Sequence, residues 1–80
     1  MNLEIEAFGP LIGVLGAQPI RIDAPVRTAA ELMGWLQQTY PDLAPWDGRI
    51  ACAVEATLLR RDDALIEGSR VALIPPVSGG

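Results

Sequence analysis

A single helical stretch, set among short alternating segments, is what most limits the folds open to this chain. Thr28 followed three residues on by Glu31 reads as a capping box. From Ala29 to Tyr40 the apolar residues fall at helical spacing, with Leu32, Leu36 and Tyr40 on one stripe and Met33 beside it. Gly34 weakens this helix by about 1 kcal/mol relative to alanine, and Pro41 ends it. One helix covers only one face of a sheet, so the other face must meet solvent or a partner.

The strands are read from period-two alternation. Leu3, Ile5 and Ala7 point one way, and Glu4, Glu6 and Phe8 the other. Gly9-Pro10 and Gly13 to Gly16 mark turns or a mobile loop. Ile20 and Ile22, separated by Arg21, give a second strand expected to form a hairpin with the first. After the helix, Asp42 to Gly48 reads as a loop whose Leu43 and Trp46 fold back as a lid. Arg49 to Val54 is a third strand, with Ile50, Cys52 and Val54 on one face and Ala51 and Ala53 on the other. Thr57 to Leu59 follows a tight turn at Glu55-Ala56. After turns at Asp62-Asp63 and Glu67-Gly68-Ser69, Arg70 to Ile74 is the last strand, with Val71 and Leu73 facing the core.

The chain is expected to be one domain over 1–74 with a tail over 75–80. Strand, strand, helix, then three strands is an α+β order. Placing the last strand parallel to the first buries its apolar face and projects the tail from the sheet end. Order alone permits other topologies. The uncovered face would carry Glu4, Glu6, Phe8, Ala51, Ala53, Ala72 and Ile74, and the facing of Leu58 is not fixed by the pattern. An outward Phe8 and Ile74 on adjacent strands would form an apolar patch of the kind that marks partner surfaces.

The last six residues are Pro75-Pro76-Val77-Ser78-Gly79-Gly80. The prolines hold the chain extended where it leaves the sheet. The glycines carry no Cβ to block entry to a narrow pocket. At about 3.3 Å per residue the tail reaches about 20 Å. Taken alone it reads either as a frayed terminus, where glycine is common, or as a terminal carboxylate built for delivery into another protein's active site.

Composition narrows the alternatives. Among 80 residues the six basic ones are all arginine, and ten acidic residues set a net charge of −4. This argues against a nucleic-acid binder. The absence of lysine reads first as compositional bias; it also leaves no side-chain amine for an activated tail to acylate. Half of the residues are hydrophobic, enough for a core without disulfides or metal. Cys52 is the lone cysteine and alternates with Ile50 and Val54, so it reads as a small buried hydrophobe. With no histidine and no ligand-spaced partners for Cys52, no metal site is expected. No phosphate loop, nucleophile elbow or dinucleotide fingerprint is present. No membrane span and no signal peptide are visible, so a cytoplasmic location and no membrane partner are expected. Arg60-Arg61-Asp62-Asp63 reads as a solvated turn, and Trp35 and Trp46 as packing residues around the helix and lid.

Two stretches, Ala53-Val54-Glu55-Ala56-Thr57-Leu58-Leu59 and Leu65 to the Pro-Pro-Val-Ser-Gly-Gly ending, resemble the sulfur-carrier subunit of molybdopterin synthase, the MoaD family. Phe8 and Leu15-Gly16 are similar too. The resemblance implies a ubiquitin-like β-grasp fold: a mixed sheet of about five strands with one main helix on one face. It implies a non-catalytic carrier in molybdenum cofactor biosynthesis. A ubiquitin-activating-like adenylyltransferase would use ATP to adenylate the Gly80 carboxylate. A sulfur donor would then convert it to a thiocarboxylate. The large synthase subunit would accept the tail and complete the molybdopterin dithiolene. No cofactor would be held permanently. Gly79 and Ser78 would thread the pocket, Val77, Pro76 and Pro75 would set the exit direction, and Phe8, Leu58 and Ile74 would pack on partners. The family usually has asparagine where Glu55 stands and often aspartate at Ser69. Ile74 replaces a frequent phenylalanine, and Ile12 falls where some members carry an arginine for the activating enzyme. A sulfur carrier for thiamin or another thiolation pathway, a ubiquitin-like modifier of lysines, and an adaptor with an idle tail are the rival readings.

Overall fold

The computed structural model describes residues 1–76. Val77, Ser78, Gly79 and Gly80, and with them the threading and chemical roles expected of the tail, lie outside the described residues.

Five strands form one sheet: β1 (Asn2–Ala7), β2 (Ile20–Asp23), β3 (Ala51–Val54), β4 (Thr57–Leu58) and β5 (Arg70–Ile74), in the order β2-β1-β5-β3-β4. The β1–β2 pair is antiparallel, with Leu3 opposite Ile22. The β1–β5 pair is parallel, with Ile5 beside Val71 and Ala7 beside Leu73. Seating β5 centrally lets both its neighbours satisfy its backbone groups and drives Val71 and Leu73 to complete burial. This mixed sheet with a helix on one face is the β-grasp arrangement.

Among the described residues two α-helices are present where the pattern announced one. The longer, α2 (Ala29–Thr39), is preceded by Thr28 as its N-cap. Thr28 Oγ1 accepts the Glu31 N–H at 3.2 Å, while Glu31 Oε1 accepts the N–H of Arg27 at 2.7 Å, one residue before the cap. The N–H groups of Ala29 and Ala30 reach the carbonyls of Asp63 and Arg61 at 3.1 and 2.8 Å. The segment between β4 and β5 thus caps the helix that lies beside it.

The shorter, α1 (Leu11–Leu15), replaces the loop expected between Gly9 and Gly16. Leu11 and Leu15 stand four residues apart and are both buried. Five residues are far below the length of an independent helix, so this turn is held by the burial of those two leucines. The expected loop after α2 is likewise ordered: Pro41–Trp46 is a 3₁₀ segment. Its Leu43 is fully buried, and the Leu43 carbonyl accepts the Gln37 Nε2 donor at 3.2 Å. Trp46 and Trp35 are half-buried against the core.

The core lies between the helices and one sheet face. Leu3, Ile5, Val71, Leu73 and Cys52 come from the strands, Leu32 and Leu36 from α2, Leu11 from α1 and Leu43 from the 3₁₀ segment. Burying a leucine or isoleucine contributes about 2 kcal/mol, and none of these sites buries a polar side chain. Burial pushes the Cys52 thiol up from its ordinary 9.0 to about 11. Between those values the unfolded chain has lost a proton that the folded chain keeps. Stability is therefore fully present below pH 9 and is lost as pH rises through 11, by about 2–3 kcal/mol in all. Cys52 is expected to resist alkylation at pH 8 in the folded protein and to react on adding urea. Rapid labelling without denaturant would contradict its burial.

Candidate functional site: the uncovered sheet face

The face opposite the helices is built in three rows by the strand register. In the first, Glu4 on β1 stands between Arg21 on β2 and Arg70 on β5. Arg70 Nε donates to Glu4 Oε2 at 2.9 Å, and Arg21 Nε lies 3.4 Å from Glu4 Oε1. Both arginines are more than half exposed, so each pair contributes under about 1 kcal/mol. Two guanidinium groups on one carboxylate leave this row with one net positive charge.

The second row runs Glu6, Ala72, Ala53 and Leu58 across β1, β5, β3 and β4. Pairing with Ala53 settles the facing of Leu58: it is outward, on the edge strand, and 65% exposed. Ala53, expected to face outward, does so but is only 6% exposed. A methyl group flanked by Ala72 and Leu58 is shielded without turning inward.

The third row holds Ala51 opposite Ile74, with Phe8 just beyond the end of β1. Phe8 and Ile74 are 44% and 39% exposed and line one open groove of about 800 Å³. Its walls include Glu6, Ala53 and Ala72, and its far rim Glu55, Ala56, Ser69 and Arg70. The alanines in this lining keep the depression open, because larger side chains there would fill it. The structure thus brings Phe8 and Ile74 together. Leu58 shares their face but sits two strands from β5, about 10 Å away at normal strand spacing, and is not part of the groove lining.

The rim at Glu55-Ala56 is a contribution that patterning did not assign to the site. Both residues have positive φ, 50° and 64°, as the central pair of a type I′ hairpin requires. Neither is a residue that favours that region. Replacing the pair by Asn-Gly is expected to stabilise the domain by about 1 kcal/mol, after allowing for the extra unfolded-state freedom of glycine. Urea titration reads this directly, and a destabilised variant would contradict the turn geometry.

Pro75 and Pro76 leave β5 at the Phe8 end of the groove and are half-buried. Ile12, on α1, is 45% exposed. Among the described residues no group of three His, Cys, Asp or Glu side chains is placed to hold a metal ion, and no helix is long and apolar enough to cross a membrane.

A parallel β1–β5 pair, one principal helix across one face and an open apolar groove on the other define the class: a ubiquitin-like β-grasp domain. The ThiS family model matches residues 5–80. The chain is 31% identical to a chain of the protein–protein complex of subunits 1 and 2 of molybdopterin-converting factor from Helicobacter pylori, covering all of both chains with a TM-score of 0.69. It is 27% identical to SAMP1 from Haloferax volcanii, again over the whole of both, with a TM-score of 0.80. SAMP1, the small archaeal modifier protein 1 of Methanosarcina acetivorans, shares the fold at 17% identity, with 99% and 96% of the chains covered and a TM-score of 0.76. No curated protein matches the chain. The chain belongs to the ThiS family, the group of ubiquitin-like β-grasp sulfur carriers and modifiers.

Proposed function

We propose that this chain is the sulfur carrier of a molybdopterin synthase. The observation that carries the reading is the groove holding Phe8 and Ile74 at the sheet end from which Pro75 departs, in a sequence that ends in Gly-Gly. A partner seated on that groove receives the tail at the same time, so one docking event supplies both affinity and delivery.

The chemistry follows from the carboxylate. Like any C-terminal carboxylate it is ionised at neutral pH and resists nucleophiles. Adenylation by a ubiquitin-activating-like enzyme consumes ATP, releases pyrophosphate and gives the acyl carbon AMP as leaving group. A persulfide sulfur displaces AMP, and a thiol cleaves the resulting acyl disulfide to leave the thiocarboxylate on Gly80. That ionised sulfur is the nucleophile delivered to the pterin precursor within the large subunit. Gly79 and Ser78 thread the narrow entry, and Val77, Pro76 and Pro75 direct it. Phe8, Leu58 and Ile74 pack on the activating enzyme and on the large subunit. The domain itself works without a resident cofactor, in the cytoplasm.

The likeness to a chain of the Helicobacter pylori complex of subunits 1 and 2 supports a large-subunit partner. The likeness to SAMP1 supports a second reading, a ubiquitin-like modifier joined to lysines through Gly80. The ThiS model also admits a carrier for thiamin. Offering the thiocarboxylated protein separately to a molybdopterin synthase large subunit with precursor, to a thiazole-forming enzyme, and to lysine-bearing proteins separates the three. Dithiolene formation in the first alone is the expected result. Thiazole formation alone, or an isopeptide bond at Gly80, would replace this reading.

A further inference from the structure

The turn joining β1 to α1 lies close to the start of the tail. Gly9 has a φ of +57°, and a Cβ built on it would lie 3.3 Å from Cγ of Pro75. That is closer than side chains ordinarily approach, and the backbone is in the left-handed region that favours glycine. Gly9 is anchored on both sides. The Leu11 N–H donates to the Phe8 carbonyl and the Ile12 N–H to the Gly9 carbonyl, each at 3.2 Å, and Leu11 is fully buried. Pro75 is restrained in turn by its ring and by following Ile74 out of the sheet.

We infer that Gly9 is a positioning residue: the bare backbone of Gly9 is the seat on which Pro75 rests, and this contact fixes the direction in which the tail leaves beside Phe8. The inference rests on the sulfur-carrier reading and deepens it, because it assigns tail aim to a residue more than sixty positions away in sequence. Two anchors then act on a partner at once. Phe8 and Ile74 hold the body, and the Gly9–Pro75 contact sets the angle of entry. A small error in that angle is magnified over the remaining residues, and misplacement near 1 Å at a reacting carboxylate can lower rate roughly a hundredfold.

The test is steady-state adenylation of the full chain by its activating enzyme, comparing Gly9→Ala, Gly9→Asn, Pro75→Ala and the Gly9→Ala/Pro75→Ala pair. Asparagine tolerates the left-handed region, so Gly9→Asn adds the Cβ with little backbone strain, and circular dichroism confirms its folding. Both Gly9 variants are expected to lose roughly ten- to a hundredfold in kcat with KM changed less than about twofold. The pair is expected to be no worse than its worse single variant, since the two changes act on one contact. Wild-type kcat in folded Gly9→Asn, a loss confined to KM, or additive losses in the pair would each overturn the inference while leaving the carrier reading in place. A wild-type chain that a competent activating enzyme does not adenylate would overturn both.

Discussion

Deleting Gly80 is expected to abolish adenylation and sulfur transfer while leaving the fold intact. Among the described residues the buried core cluster runs from Leu3 to Leu73, and the deletion leaves that cluster whole. The shortened tail still ends in a glycine carboxylate, at Gly79, which makes this a test of reach rather than of chemistry. One residue fewer draws the carboxylate back by about 3.3 Å. Reaction needs the attacking and reacting atoms held within a narrow range, and even 1 Å of misplacement can lower rate a hundredfold. A loss of roughly a thousandfold or more in acyl-adenylate formation is therefore expected, with an unchanged urea midpoint. A deletion variant that is still activated at the normal rate would show that the tail is chemically idle.

The second large effect is expected on the uncovered face. Phe8→Asp and Ile74→Asp each place a charge where a partner must exclude water. Aromatic and apolar anchors at interface centres commonly contribute 2 kcal/mol or more, and an unpaired buried carboxylate adds to the loss. Each variant is expected to weaken binding to the activating enzyme and to a large subunit roughly a hundredfold or more, which is about 2.7 kcal/mol. Both side chains are already more than a third exposed, so stability is expected to change by less than about 1 kcal/mol. Leu58→Asp, on the same face but outside the groove, is expected to weaken binding less. Calorimetry on the three variants ranks them. Unchanged affinity in Phe8→Asp and Ile74→Asp would move the partner surface elsewhere.

Most of the fold was legible in the sequence because its signals are local. Alternation placed the strands, the Thr28-to-Glu31 spacing placed the start of α2, and an outward Phe8 and Ile74 announced the apolar face. The parallel β1–β5 pairing is not a local signal. Element order allowed it, and the resemblance selected it. The missed α1 carried a usable cue, Leu11 and Leu15 at helical spacing after Pro10, but Gly9, Gly13 and Gly16 argued for a loop, and tertiary burial overrode them. Leu58 could have been assigned from the tight turn itself. A two-residue turn at Glu55-Ala56 pairs Val54 with Thr57 and Ala53 with Leu58, which puts Leu58 on the face of Ala53. The close approach of Gly9 to Pro75 had no sequence signal at all. Gly-Pro reads as a turn wherever it occurs, and only the register of β1 against β5 brings that turn to the foot of the tail.

The carrier reading stands most directly on the intact mass of the chain after incubation with an activating enzyme, ATP and a sulfur donor. The expected result is a gain equal to the replacement of one oxygen by sulfur, mapped by fragmentation to Gly80 and absent without ATP. An unchanged mass, with the same enzyme active on its own carrier, would contradict it.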